Sequence, residues 1–181
     1  MIKYAITDPK FYSNFTHAFS SYTRLREANM LLLRDKITKN YENLAEEFIQ
    51  FKSNRAKFLL QNDIDLASKL GFDGVHFSSN SIELIKYTPA NLIKIASTHS
   101  ADEIEKANIN GADFITFSPI FSTPNKGTPK GLEPLKDAIK LSKAKVIALG
   151  GIVDAEQIDA VMSCGVAGFA SIRYFTLDQP Y

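Results

Sequence analysis

Phe117-Ser-Pro-Ile-Phe-Ser-Thr-Pro-Asn-Lys126 is followed further along by Val146-Ile-Ala-Leu-Gly-Gly-Ile152. Each stretch begins as an apolar strand and breaks into small residues, and the first adds hydroxyls and a lysine. Such breaks belong at the carboxyl ends of parallel strands. There glycine lets an anion approach the backbone, and the amides opening the next helix point at it. Outward from this pair the same unit recurs. Short apolar runs stand at 2–6, 30–33, 57–60, 74–77, 92–96, 114–117, 145–149 and 168–172. They are rich in Ile, Val, Leu and Phe, as strands buried on both faces are.

Between the runs lie segments with apolar spacing near 3.6, such as Leu44/Phe48/Phe51 and Ile104/Ala107/Ile109. Ser100-Ala-Asp-Glu103 and Asp154-Ala-Glu-Gln157 read as helix starts, a polar cap followed by acids in the first turn. Eight strands linked by right-handed crossovers predict a closed, compact (β/α)8 TIM barrel. An open doubly wound sheet places its glycine-rich loop after the first strand, whereas these glycines follow the seventh. At 181 residues the chain is short for such a barrel, which typically runs to about 250. The tail Arg173-Tyr-Phe-Thr-Leu-Asp-Gln-Pro-Tyr181 is too short for a full eighth helix. The last helix is therefore expected to be truncated, with a partner subunit covering the seam in a homodimer. Residues 1–181 read as a single domain, with no linker or low-complexity tract.

Hydrophobic content of 45% and charged content of 23% are ordinary for a globular chain. A net charge of +1, with the basic residues dispersed, gives no reason to expect nucleic acid or a membrane surface as partner. No run reaches the length of a membrane span, and the first residues lack a signal peptide's apolar stretch. The single cysteine, Cys164, excludes an internal disulfide and fits a reducing cytoplasm, where it reads as a buried structural thiol.

In a barrel, the residues just past each strand gather at one mouth. Here they are Thr7 and Asp8, then Arg34, Asp35 and Lys36, then Asn62 and Asp63. His76 lies on strand four, followed by Ser78 to Ser81. Ser97, Thr98 and His99 follow strand five; Ser122, Thr123, Asn125 and Lys126 follow strand six; Gly150 and Gly151 end strand seven. A mouth with cations, hydroxyls, two histidines and few carboxylates suits a phosphorylated small molecule.

Read together, Tyr4-Ala-Ile-Thr-Asp8, Leu33-Arg-Asp-Lys36, Asn62-Asp-Ile-Asp-Leu-Ala67, Asp73-Gly-Val-His76, Ser97-Thr-His99, Pro119-Ile-Phe-Ser-Thr-Pro-Asn-Lys126 and Gly150-Gly-Ile152 resemble the thiamine phosphate synthase/TenI family. The segments run in family order over nearly the whole chain. The resemblance implies a thiamine-biosynthesis enzyme that binds a phosphorylated thiazole. In the synthase branch a pyrimidine pyrophosphate joins the thiazole phosphate, and Mg2+ held by two aspartates stabilises the departing pyrophosphate. Arg34 and Lys36 would then meet the pyrophosphate, Asn62 would assist, and Asp63 would be the first metal ligand. The second aspartate is expected where Ser81 stands, a glutamine where Leu32 stands, and a Gly-Gln pair where Ser78-Ser79 stands. Glu83 is the one nearby carboxylate that would substitute if its loop bent.

The TenI branch fits these losses better. Its reaction is tautomerisation of a carboxythiazole phosphate, a proton transfer that needs no cofactor or metal and draws its driving force from aromaticity. It asks for a phosphate anchor and an acid/base near neutrality, for which histidine is suited. His99 stands where TenI members carry their catalytic histidine. Lys126, Gly150 and Gly151 would hold the phosphate, with Thr123 as a further donor and Asn125, Ser97 and His76 lining the site. The favoured expectation is a thiazole tautomerase. The alternatives are the Mg2+-dependent synthase and a non-catalytic regulator that binds thiazole or thiamine phosphate.

Plainer roles stand beside these. His99 would also cap the helix beginning near Ser100, and His76 would serve as a hydrogen-bonded wall of the barrel. Asp63 would cap the helix over residues 64–70. Gly150-Gly151 would make a tight turn, and Arg34 and Lys36 would pair with Asp35 on the surface. Arg173 would add charge near the phosphate or point away. Tyr4, Tyr12, Phe114, Phe117 and Phe121 are expected to pack the barrel and its edges.

Overall fold

The computed structural model describes residues 1–11, 14–124 and 126–176. Tyr12 and the tail beyond Thr176 lie outside the described residues. The eight strands are β1 (Ile2–Ile6), β2 (Met30–Leu33), β3 (Lys57–Gln61), β4 (Gly74–Phe77), β5 (Ile93–Thr98), β6 (Phe114–Phe117), β7 (Lys145–Leu149) and β8 (Gly168–Ser171). Each pairs in parallel with the next, and β8 returns to β1, closing the barrel.

Alternation along each strand divides the apolar residues between two cores. Met30 and Leu32 face the interior with Tyr4, Ile6, Leu59, Ile95, Ile147 and Ala170, while Leu31 and Leu33 join the outer core under the helices. Burial on both faces is why the strands read as unbroken apolar runs. Two strand pairs approach so closely that only glycine fits. Gly74 lies beside Ile93 and Gly168 beside Ile2. A Cβ on Gly168 would lie 2.1 Å from the Ile2 carbonyl oxygen.

The helices are α1 (Phe15–Ser21), α2 (Tyr41–Ile49), α3 (Ile64–Leu70), α4 (Ala101–Asn110), α5 (Leu132–Leu141), α6 (Ala155–Ser163) and α7 (Arg173–Thr176). A 3-10 segment over Ser79–Tyr87 makes the crossover from β4 to β5, and another, Thr23–Glu27, follows α1. The two expected helix starts hold: Ser100 Oγ accepts from the Glu103 amide at 3.3 Å, and Asp154 Oδ1 from the Gln157 amide at 2.8 Å. In α4, Ile104 and Ala107 are buried, but Ile109 stands 75% exposed and does not belong to the apolar face. Cys164 ends α6 half-buried rather than enclosed.

The last helix is a single turn. At the seam this chain packs its own aromatic residues. The Phe175 ring is buried and stacks on Phe169 with centroids 5.7 Å apart, and the Arg24 guanidinium sits 4.7 Å above the Tyr174 ring. No helix among the described residues is long and apolar enough to cross a membrane.

Candidate active site

The carboxyl ends of β1 and β2 are joined first. The Arg34 amide donates to Thr7 Oγ1 at 2.9 Å, and the Thr7 hydroxyl donates back to the Arg34 carbonyl at 3.3 Å. This holds the largely buried guanidinium of Arg34 at the mouth, with Nη1 4.0 Å from Asp8 Oδ2. Asp35 feels the Arg34 charge but is engaged elsewhere. Its carboxylate accepts from the Ile37 and Thr38 amides and the Thr38 hydroxyl, closing a turn.

Beside it a groove of about 360 Å³ runs between Asp35, Lys36, Tyr41, Gln61, Asn62, Ser78 and Asn80. Lys36 and Asn62 thus line the same groove. Asn62 adopts φ of 59°, a left-handed conformation that Asn tolerates better than most residues. Its side chain locks the β4 loop: Oδ1 accepts from the Ser78 amide at 2.8 Å, and Nδ2 donates to Ser78 Oγ at 3.3 Å. Ser78 Oγ in turn meets Ser81 Oγ at 3.1 Å. Asp63 caps α3, its Oδ1 accepting from the Leu66 amide at 2.9 Å.

His76 lies deep in the barrel. It is 2% exposed, and both ring nitrogens are occupied, Nδ1 by the Tyr4 hydroxyl at 2.7 Å and Nε2 by Ser97 Oγ at 2.8 Å. These two bonds build His76 into the wall of the barrel. Burial, aided by the nearby Arg34 charge, holds its pKa down at about 3, against 6.5 for a free imidazole. Below pH 6.5 the unfolded chain takes up a proton that the folded chain refuses, so this contribution to stability is complete above pH 6.5 and is lost as pH falls toward 3. Urea unfolding at stepped pH should show stability falling by up to about 1.4 kcal/mol per pH unit below 6.5. His76→Gln should flatten that slope above pH 5, and an unchanged slope would show that other groups set it.

His99 follows β5, half-exposed at the mouth. One oxygen of Glu103 accepts from both its main-chain amide, at 2.5 Å, and its ring Nδ1, at 3.0 Å. The carboxylate therefore keeps the hydrogen on Nδ1 and leaves Nε2 of the neutral ring as the bare nitrogen. Glu103 was not among the expected site residues, although its signal was present. Ser100-Ala-Asp-Glu103 has the spacing of a capping box, whose glutamate reaches back past the cap.

The loops after β6 and β7 are built as one. Ile120 N–H donates to the Leu149 carbonyl at 3.0 Å, and Phe121 N–H to the Gly150 carbonyl at 2.9 Å. Gly150 and Gly151 have φ of 103° and 73°, and a Cβ on Gly151 would stand 2.6 Å from the Ser122 carbonyl oxygen. Their first role is thus to let the two loops touch. The hydroxyl of Thr123, the expected further donor, here donates to the Phe121 carbonyl at 3.1 Å. Lys126 is exposed beyond it, and Asn125 lies outside the described residues. Lys130, which the sequence did not single out, returns along this loop with Nζ 5.6 Å above the Phe117 ring.

Residues 3–175 match the family model described as thiamine monophosphate synthase. The chain belongs to the thiamine phosphate synthase/TenI family. It is 36% identical over 180 residues to the "Putative thiamine-phosphate synthase 2" of Aquifex aeolicus, covering 95% of this chain and 96% of that protein. It is 30% identical over 178 residues to the thiamine-phosphate synthase of Methanococcus maripaludis, covering 93% of this chain and 84% of the relative. Among solved structures, thiamine phosphate pyrophosphorylase from Pyrococcus furiosus superposes with a TM-score of 0.80 at 27% identity. That match covers 94% of this chain and 85% of the other. The relatives' names favour the synthase branch of the thiamine phosphate synthase/TenI family.

The family's Mg2+ finds a poor seat here. Of the expected aspartate pair only Asp63 is present, and the Ser81 hydroxyl in the other place is tied to Ser78. Glu83 stands exposed on the 3-10 segment and does not replace it. Among the described residues no three His, Cys, Asp or Glu side chains gather to hold a cation. A hard divalent ion needs several oxygen ligands, and these residues do not fit the two-aspartate site.

Proposed function

We propose that this family member moves a proton on a phosphorylated thiazole, converting one carboxythiazole phosphate tautomer into the aromatic one. The observation that carries this reading is the Glu103–His99 pair after β5. A carboxylate on Nδ1 orients the ring and stabilises the imidazolium that forms when Nε2 takes a proton. Returned at a second carbon, the proton leaves the total charge unchanged. Arg34 brings positive charge to the mouth, and Lys126 with the Gly150-Gly151 backbone is the proposed phosphate anchor on the neighbouring strands. The purified protein should raise absorbance from the aromatic thiazole product when given the non-aromatic tautomer, at a rate indifferent to chelator. A rate equal to the uncatalysed one would overturn the reading.

The relatives' names, together with Arg34, Lys36, Asn62 and Asp63, support a second reading, the synthase. Its assay is thiamine phosphate formation from the pyrimidine pyrophosphate, the thiazole phosphate and Mg2+. Multiple turnovers abolished by chelator would establish it in place of the first. A protein that binds thiazole phosphate and turns over in neither assay would be the non-catalytic regulator.

A further inference from the structure

Three interior side chains from three strands form one continuous chain: the Tyr4 hydroxyl meets His76 Nδ1 at 2.7 Å, and His76 Nε2 meets Ser97 Oγ at 2.8 Å. We propose that Tyr4 and His76 are positioning residues that fix the Ser97 hydroxyl as a hydrogen-bond donor toward the ligand, so that the ligand atom meeting Ser97 is an acceptor.

The polarity follows from the inner end. Tyr4 is 0% exposed, and among the described residues its hydroxyl meets His76 and no other hydrogen-bonding group. A hydrogen on Nδ1 would strand the phenolic O–H inside the barrel, with the desolvation cost of an unpaired buried donor. With Nδ1 bare, Tyr4 donates to it, and Nε2 carries the ring hydrogen and donates to Ser97 Oγ. The serine oxygen is then engaged from within and its own hydrogen is free. No acceptor among the described residues takes that hydrogen, and Ser97 is the member of the chain that is only half-buried.

A second observation lies alongside. Thr116 is the register partner of Ser97 across the β5–β6 pair and, by alternation from Phe114, faces the same interior. Its Oγ1 is a fully buried oxygen with no hydrogen-bond partner. Of these two hydroxyls on adjacent strands, the half-buried one of Ser97 is within a ligand's reach, and that of Thr116 lies enclosed behind it. A carboxylate or a ring nitrogen satisfies the Ser97 hydrogen; an ammonium or amide N–H does not.

The inference rests on the proposed function only for its binding probe. Nitrogen NMR of the histidine rings reads the tautomer without a ligand, and His76→Gln assigns the signal among three histidines. His76 is expected in the Nε2–H form across neutral pH, and an Nδ1–H form would overturn the proposal. In Tyr4→Phe, which keeps the ring, the signal should move toward Nδ1–H. Calorimetric affinity for thiazole phosphate should weaken about tenfold in Ser97→Ala and somewhat less in Tyr4→Phe. The double variant should be no weaker than Ser97→Ala alone, since both act through one hydroxyl; fully additive losses would overturn the proposal. If the wild-type protein binds no thiazole phosphate, the ligand reading fails, and the His76 spectrum still decides the tautomer.

Discussion

His99→Ala is expected to lower the tautomerisation kcat by about 10²–10⁴-fold, the range that a positioned acid/base contributes, with thiazole phosphate affinity kept within about twofold of wild type. The reason is spatial. His99 stands on the β5–α4 connection, whereas the proposed phosphate anchor lies on the loops after β6 and β7, joined to each other by Ile120 and Phe121 amides. Glu103→Gln is the sharper companion, because an amide oxygen still accepts from Nδ1–H but carries no charge to favour the imidazolium. Its loss should be smaller, on the order of tenfold, and should fall on kcat rather than KM. A His99→Ala enzyme at full rate would remove the acid/base role and return the site to its synthase or binding readings.

Gly168→Ala is expected to cost about 3 kcal/mol or more of stability, read as a drop of roughly 6–12 °C in Tm for a chain of this size. Overpacking is usually relieved by a side chain turning to another rotamer. Here both partners are backbone or Cβ: the added carbon would meet the Ile2 carbonyl oxygen at 2.1 Å and the Ile2 amide nitrogen at 2.6 Å. Only separation of β8 from β1 relieves the contact, and that pair closes the barrel. Gly127→Ala, with nothing within 4 Å of the new carbon, serves as the control and should be nearly neutral. Equal midpoints for the two variants would show that the seam tolerates a wider spacing.

The eight strands were legible because a strand buried on both faces leaves an unmistakable apolar run, as in Met30–Leu33. The one-turn α7 was legible from tail length alone, but what packs over the seam was not, since Arg24 and Tyr174 are far apart in sequence. At the site, position was readable and partnership was not. His99 was placed correctly after β5, yet its carboxylate lay hidden in what read as an ordinary helix start. Asp63 and Asn62 illustrate the converse. Family position marks them for ligand chemistry, while their hydrogen bonds show local work, capping α3 and locking the β4 loop. Tyr4 read as packing, because a phenol's partner on β4 depends on barrel closure and strand register, which no linear pattern displays.

The single-turn ending of the barrel has a practical side. Thr176 lines the same small cavity as Ile6 and Thr7, at the carboxyl end of β1, whereas Met1 precedes the opposite end of that strand. Cargo fused at Thr176 in place of residues 177–181 would therefore start beside the rim that carries the proposed site, and cargo fused before Met1 would start at the far side. For immobilisation on a sensor surface or attachment of a fluorophore, a linker at Met1 starts away from the proposed site.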